Sequence, residues 1–288
     1  MTVTPEVGAI SLGLTGKVVL VTGGVRGVGA GISAVFAGQG ATVVTCARRP
    51  VEGLPYEFHS CDIRDDESVK SLIDAVVEKH GRLDVVVNNA GGSPYVLAAD
   101  ASAKFSTKII ELNLIGALSV STHANAVMQG QDSGGSIVNI SSVSGHRPTP
   151  GTAAYGAAKA GIDNLTSTLA VEWAPKVRVN SVVVGMVETE QSELFYGDAD
   201  SIAAISRNVP LGRLAKPADI GWATAFFVVF GRLLYQRCVV GGARWRGAAA
   251  LPVHHDGRHQ VTRKRRQHNG IARRPRGHRD GCRWRYRA

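Results

Sequence analysis

Two kinds of apolar run alternate along the chain. Six are short: Lys17–Thr22, Ala41–Cys46, Tyr56–Cys61, Asp84–Asn88, Ile137–Ile140 and Lys176–Val184. Their β-branched residues follow one another with little polar alternation, as in strands buried on both faces. Between them the apolar positions recur at helical spacing. Asp66–His80 places Val69, Leu72, Ile73, Val76 and Val77 on one face, with Gly81 suited to close the helix. A helix is expected from about Gly29 to Gly38, another from Ala153, and another from Pro217 to about Phe226. Ala101–Val127 has the helical pattern but contains Asn113, an unfavourable interior residue that predicts a cap or a bend. Ser192–Arg207 reads as a mobile, partly helical loop. Strands alternating with helices at this spacing predict βαβ units around a parallel sheet.

Length and composition narrow this picture. A chain of 288 residues, 44% hydrophobic and with 34 glycines, suits one large α/β domain. Residues 1–16 lack a basic stretch followed by a long apolar run, so no secretory leader is expected. Ala223–Phe230 falls far short of the roughly 20 apolar residues that cross a bilayer. The four cysteines form no C-x-x-C pair, so a reducing cytoplasm is expected and a metal site is not. The net charge of +10 is unevenly placed. Residues 1–226 carry 17 Lys and Arg against 21 Asp and Glu; residues 227–288 carry 16 against 2.

Three stretches carry candidate chemistry. Thr22-Gly-Gly-Val-Arg-Gly-Val-Gly29 is a glycine-rich turn between a strand and a helix. Without Cβ atoms the backbone can approach a pyrophosphate, and the helix N-terminus offers free N–H groups. The strand that ends at Cys46 runs into Ala47-Arg48-Arg49. At that place an acidic residue would bond a ribose 2′-hydroxyl and an Arg accommodates a 2′-phosphate, so NADP(H) is favoured, with NAD(H) the alternative. In Gly134–Gly161, Tyr155 and Lys159 are four apart on one helix face. A phenol is a poor base at neutral pH, and a nearby ammonium favours the phenolate. Ser142, at the end of the preceding strand, can reach the same point.

T-G-x-x-x-G-x-G at Thr22–Gly29, N-N-A-G at Asn88–Gly91, and Ser142 with Tyr155-x-x-x-Lys159, together with Asn113, resemble the short-chain dehydrogenase/reductase family of the classical NAD(P)-dependent type. The resemblance spans about Leu14 to Phe226, a domain preceded by an extension of residues 1–13 and followed by a basic tail of residues 227–288. It implies a single three-layer, doubly wound Rossmann-like domain with seven parallel strands. It implies that Tyr155 is the acid/base, that Lys159 lowers its pKa and binds the nicotinamide ribose, and that Ser142 holds the substrate oxygen. Asn113 would bend its helix and position a relay water. Thr22, Gly23, Arg26, Gly27, Val28 and Gly29 would surround the pyrophosphate. Arg48, Asp62, Ile63, Asn89, Ala90 and Gly91 would line the adenosine side, and Gly185, Val187 and Thr189 the nicotinamide carboxamide. Val143, Leu194 and Phe195 would line the substrate. The family's Pro before the last glycine is Val184 here. A homodimer or homotetramer is the family's usual assembly.

The expected activity is therefore interconversion of a ketone and a secondary alcohol, on a 3-oxoacyl thioester or a steroid-like substrate. The competing class is a nucleotide-binding protein whose basic tail engages nucleic acid or another anion. Intact Ser142, Tyr155, Lys159 and Asn113 argue against it, and nucleic acid is disfavoured as a partner. From Phe227 the family's pattern of a continuing helix and closing strand is lost, and Arg, Gly, Ala, His and Trp dominate beyond Gly241. That composition resembles a shifted GC-rich reading frame. On this reading the sheet lacks its edge strand, and Val239–Ala243 fits poorly as a substitute.

Overall fold

All six apolar runs expected as strands pair in parallel. A computed structural model describes residues 12–230 and 239–241, without the side chains of residues 194, 195, 230 and 239–241. The chain divides at 245/246, and residues 246–288 lie outside the described residues. Before that point, β1 (Val18–Thr22), α1 (Gly27–Gly38), β2 (Thr42–Ala47), β3 (Glu57–Ser60), α2 (Asp66–His80) and β4 (Val85–Asn88) form the first half. There follow α3 (Ala103–Ile110), α4 (Gly116–Gly130), β5 (Gly135–Ser142), α5 (Ala153–Glu172) and β6 (Val177–Val184). The remainder is α6 (Ser192–Tyr196), α7 (Ala199–Arg207), α8 (Pro217–Phe230) and β7 (Val239–Gly241).

The sheet order is β3-β2-β1-β4-β5-β6-β7, so the winding reverses between β1 and β4. In such sheets ligands bind beyond the carboxyl ends of the strands at that reversal. The apolar runs explain the layers. Every residue of β1 is buried. Val18 and Leu20 pack with Leu72, Ile73, Val120 and Leu169 of α2, α4 and α5. Val19 and Val21 pack with Ile32, Phe36, Ile220 and Phe227 of α1 and α8. Period-two alternation thus sends neighbouring residues into opposite cores, and helices on both faces keep both dry. α2 begins and ends as its sequence suggests. The Asp65 side chain accepts from the amides of Glu67 and Ser68, and Gly81 closes the helix at φ 70°.

The local departure expected at Asn113 is a π-helical turn, Glu111–Ile115, that joins α3 to α4. Three other expectations change. Ser192–Arg207 holds two helices, α6 and α7, capped at α7 by Asp198, whose side chain accepts from the Ser201 amide at 2.9 Å. The boundary expected at residue 226 falls inside α8. Phe227 and Val228 are buried there, and Arg178 of β6 donates to both their carbonyls at 2.9 and 2.6 Å. The edge position expected to be vacant is held by β7, with Ser181, Val182 and Val183 opposite Val239, Val240 and Gly241. Pairing there uses backbone groups, which a three-residue Val-Val-Gly stretch supplies whatever surrounds it. The composition beyond Gly241, read as a shifted frame, lies outside the described residues, as do residues 1–11 of the extension.

Candidate active site

The glycine-rich turn sits at the carboxyl end of β1. Gly23 and Gly27 have φ of 64° and 51°, a region open to glycine at little cost. A Cβ on Gly29 would lie 2.2 Å from the Gly23 carbonyl oxygen, so α1 can start this close to the turn only with glycine there. Arg26 stands at the N-cap with an exposed side chain, and Val28 is half-buried. Thr22 is wholly buried. Its hydroxyl donates to the Val87 carbonyl at 3.3 Å and accepts from the amides of Asn89 and Ala90, each at 3.0 Å. Asn89 Nδ2 donates to the Thr22 and Gly23 carbonyls at 3.0 and 3.2 Å. The 22–29 and 88–91 turns are thereby stitched into one rim.

This rim binds an anion within the chain itself. The Gly27 amide donates to Glu190 Oε1 at 3.0 Å. A carboxylate on that N–H shows that the turn accepts negative charge, as a cofactor pyrophosphate requires. The residues present therefore fit a dinucleotide. Along the rim, Arg48 follows β2 with an exposed side chain. Asp62 is gripped by Arg64, whose Nε lies 2.9 and 3.2 Å from the two carboxylate oxygens. Arg64, and more weakly Arg48, hold its carboxyl below the usual range against the effect of burial. Ile63 is buried against Gly116 of α4.

At the carboxyl end of β5 the chemistry-bearing groups meet. Ser142 Oγ accepts the Ser144 amide at 3.2 Å and lies close enough to act on the Tyr155 phenol. Lys159 Nζ lies 5.6 Å from the centroid of the Tyr155 ring and donates to the Ile140 carbonyl at 2.7 Å. A Cβ on Gly91 would sit 2.6 Å from Asn113 Oδ1 and 3.5 Å from Lys159 Nζ, which brings the N-N-A-G turn to the same point. Asn113 is buried with both ends of its amide committed. Oδ1 accepts from the Gly92 amide at 2.8 Å, and Nδ2 donates to the carbonyls of Gly92 and Ile109, each at 2.9 Å. Its side chain is thus a clamp between the π turn and the rim.

Electrostatically the pair is a surprise. Burial pushes the Tyr155 phenol above its usual value; the Ser142 hydroxyl pulls it back, and the neighbouring Tyr196 phenol adds to the rise. Burial also brings Lys159 down to about 8, against the opposing charge of Asp163. At neutral pH that ammonium still carries its proton.

The segment after β6 roofs the rim. Gly185 is exposed and Val187 buried, and the Glu188 amide donates to Ala215 at 2.8 Å. The Thr189 amide donates to Ser192 Oγ at 2.7 Å. Val143 is half-buried beside Ser142. The side chains of Leu194 and Phe195 lie outside the described residues. Glu190, Asp163 and Arg64 were missed as site residues, whereas Tyr196 was expected only as part of an apolar pocket. Only Asp163 had a sequence signal, four residues beyond Lys159 on the same helix face.

The comparisons agree with this geometry. A family profile described as Enoyl-(Acyl carrier protein) reductase matches residues 23–229. The chain is 36% identical over 225 residues to a 3-oxoacyl-(acyl-carrier-protein) reductase of Thermotoga maritima, covering 74% of this chain and 90% of that protein. It is 35% identical over 224 residues to an L-fucose dehydrogenase of Bos taurus, covering 73% and 82%. The ligand-free aldohexose dehydrogenase of Thermoplasma acidophilum superposes with a TM-score of 0.77 at 30% identity, covering 83% of this chain and 98% of that one. The chain belongs to the short-chain dehydrogenase/reductase family and is an NAD(P)-dependent oxidoreductase acting on CH–OH groups.

Proposed function

We propose that the protein is an NADP(H)-dependent reductase of a ketone, or dehydrogenase of the corresponding secondary alcohol, with Tyr155 as its acid/base. The observation that carries this reading is the meeting of Ser142, Tyr155 and Lys159 beside the anion-binding rim. The bound cofactor supplies hydride transfer. In reduction Tyr155 gives its proton to the developing alkoxide, and Ser142 donates a hydrogen bond to the same oxygen. In oxidation the Lys159 ammonium stabilises the tyrosinate that takes the proton back. Lys159 also binds the ribose, and Asn113 holds the rim in place. The exposed Arg48 and the absence of an acidic residue at Ala47 support the 2′-phosphate cofactor.

For the substrate, the Thermotoga relative's name supports a 3-oxoacyl thioester; the names of the two sugar dehydrogenases supply the rival. No helix among the described residues is long and apolar enough to cross a membrane. The two described cysteines are free thiols, in keeping with a cytoplasmic protein. Exposed Ile115 and Val171 support an assembly of two or four copies. The test is NADPH and NADH oxidation with acetoacetyl-CoA and a cyclic ketone, beside reduction of NADP and NAD by L-fucose and by an aldohexose. Turnover of the thioester with NADPH above all others is expected. Turnover of the sugars alone would replace the substrate reading, and no turnover beside salt-sensitive DNA binding would favour the tail-centred one.

A further inference from the structure

Tyr155, Lys159 and Asp163 occupy successive turns of one face of α5. Lys159 is 5% exposed, so its ammonium has lost nearly all its water. A buried ammonium stays charged only with a compensating partner. Among the described residues its ammonium donates to a neutral carbonyl, that of Ile140. The carboxylate whose charge acts on it is Asp163. That carboxylate is built into the wall between α5, β5 and β6. Oδ1 accepts from Ser181 Oγ of β6 at 2.8 Å, and Oδ2 accepts from Ser141 Oγ of β5 at 2.9 Å. His146 Nε2 lies 2.8 Å from Oδ2, on the side open to solvent. The loop carrying His146 is pressed on α5: a Cβ on Gly145 would lie 2.7 Å from the Ala160 nitrogen.

We infer that Asp163 is a positioning residue for Lys159: its carboxylate supplies the countercharge that keeps the buried ammonium protonated, and its bond to His146 ties that charge to the loop after Ser142. The inference rests on the reading of Tyr155 and Lys159 given above. Among the described residues, the titratable groups facing this point are Tyr155, Lys159 and Asp163 from α5, His146 from the loop after β5, and Tyr196 from α6. Removing a negative neighbour lowers the proton affinity of both members of the Tyr155–Lys159 pair, whichever member loses the first proton.

The test is a pH titration of the cofactor-free protein carrying 13C-labelled lysine side chains, followed by NMR, with Lys159 assigned from Lys159→Arg. The wild-type midpoint is expected near 8. In Asp163→Asn it moves down by about one pH unit, and the alkaline limb of the reduction rate moves with it. Asp163→Glu restores both. A folded Asp163→Asn protein with an unmoved midpoint overturns the inference. If Asp163→Asn does not fold, the half-exposed His146 decides. His146→Lys, a fixed cation on the Asp163 carboxylate, lowers the Lys159 midpoint, and His146→Gln leaves it. Equal midpoints in these two overturn it as well. The NMR readout needs no turnover, so it stands apart from the functional reading. A fully active Tyr155→Phe sinks that reading alone, and an unmoved midpoint beside an inactive Tyr155→Phe sinks this inference alone.

Discussion

The amide of Gly27 donates to the carboxylate of Glu190 at 3.0 Å, across 163 positions of sequence. The group that should receive a pyrophosphate thus already holds an anion, and a cofactor must displace it. Glu190→Gln removes the charge and leaves the length. Its dissociation constant for NADPH is expected to fall about fivefold, near the worth of one hydrogen bond. Fluorescence titration of NADPH measures this. Weaker binding in the variant would mean that Glu190 assists the cofactor.

Tyr155→Phe keeps the ring beneath Lys159 and removes the proton. Turnover should vanish while NADPH binding stays within about twofold, since the change removes less than one hydrogen bond's worth of binding. Steady-state kinetics beside the same fluorescence titration separates the two. Activity above a tenth of wild type would remove Tyr155 from its role.

Arg48 is exposed at the end of β2, where a 2′-phosphate would lie. A charge-assisted bond there contributes about 1.5–3 kcal/mol. Arg48→Asp should shift the ratio of kcat/KM for NADPH and NADH by at least about tenfold towards NADH. Equal use of both cofactors by the unmodified protein would defeat the argument.

Phe227 is 1% exposed and meets Phe226 edge-on at 5.7 Å. If the fold runs past residue 226, Phe227→Ala should cost about 3–5 kcal/mol. Urea denaturation reads this directly. A neutral result would return the domain boundary to residue 226.

Glu57 of β3 is met by His59 at 2.7 Å, His80 at 2.8 Å and Lys79 at 2.9 Å. Burial pushes its carboxyl up, but these three partners outweigh burial and bring it from 4.5 down to about 2. A carboxylate depressed by folding contributes stability above its unfolded value and loses it as pH falls through the folded one. Lys79 is largely exposed, so screening limits the gain. Glu57→Gln should therefore cost about 1 kcal/mol at pH 7, and the difference should close between about pH 4.5 and 2. Paired thermal melts across that range check it, and a gap that persists at pH 2 would assign the loss to packing.

What the sequence determined by itself was local and periodic. β-branched runs mark strands, Val69 to Val77 mark a helical face, and the spacing of Tyr155 and Lys159 places both on one side of α5. Asp65 and Gly81 bound α2 because a cap is a contact within one turn. The parallel sheet followed from the alternation of these elements. Tertiary structure decided the rest, because those contacts join residues that only packing brings together. Glu190 reaches Gly27 only once β6 lies beside β5 and the segment after it folds back over β1. Asp163 had its place on the helix face, but Ser181 and His146 reach it from β6 and a loop. Asn113 was expected to bend its helix; that its side-chain amide would clamp Gly92 depends on a turn 21 residues away. The sequence of β7 offered only a weak strand signal at Val239–Ala243, since an edge strand pairs through backbone groups that every sequence carries. Burial raises the Tyr155 phenol in the cofactor-free chain, because the loss of water around a phenol is set by everything packed on it.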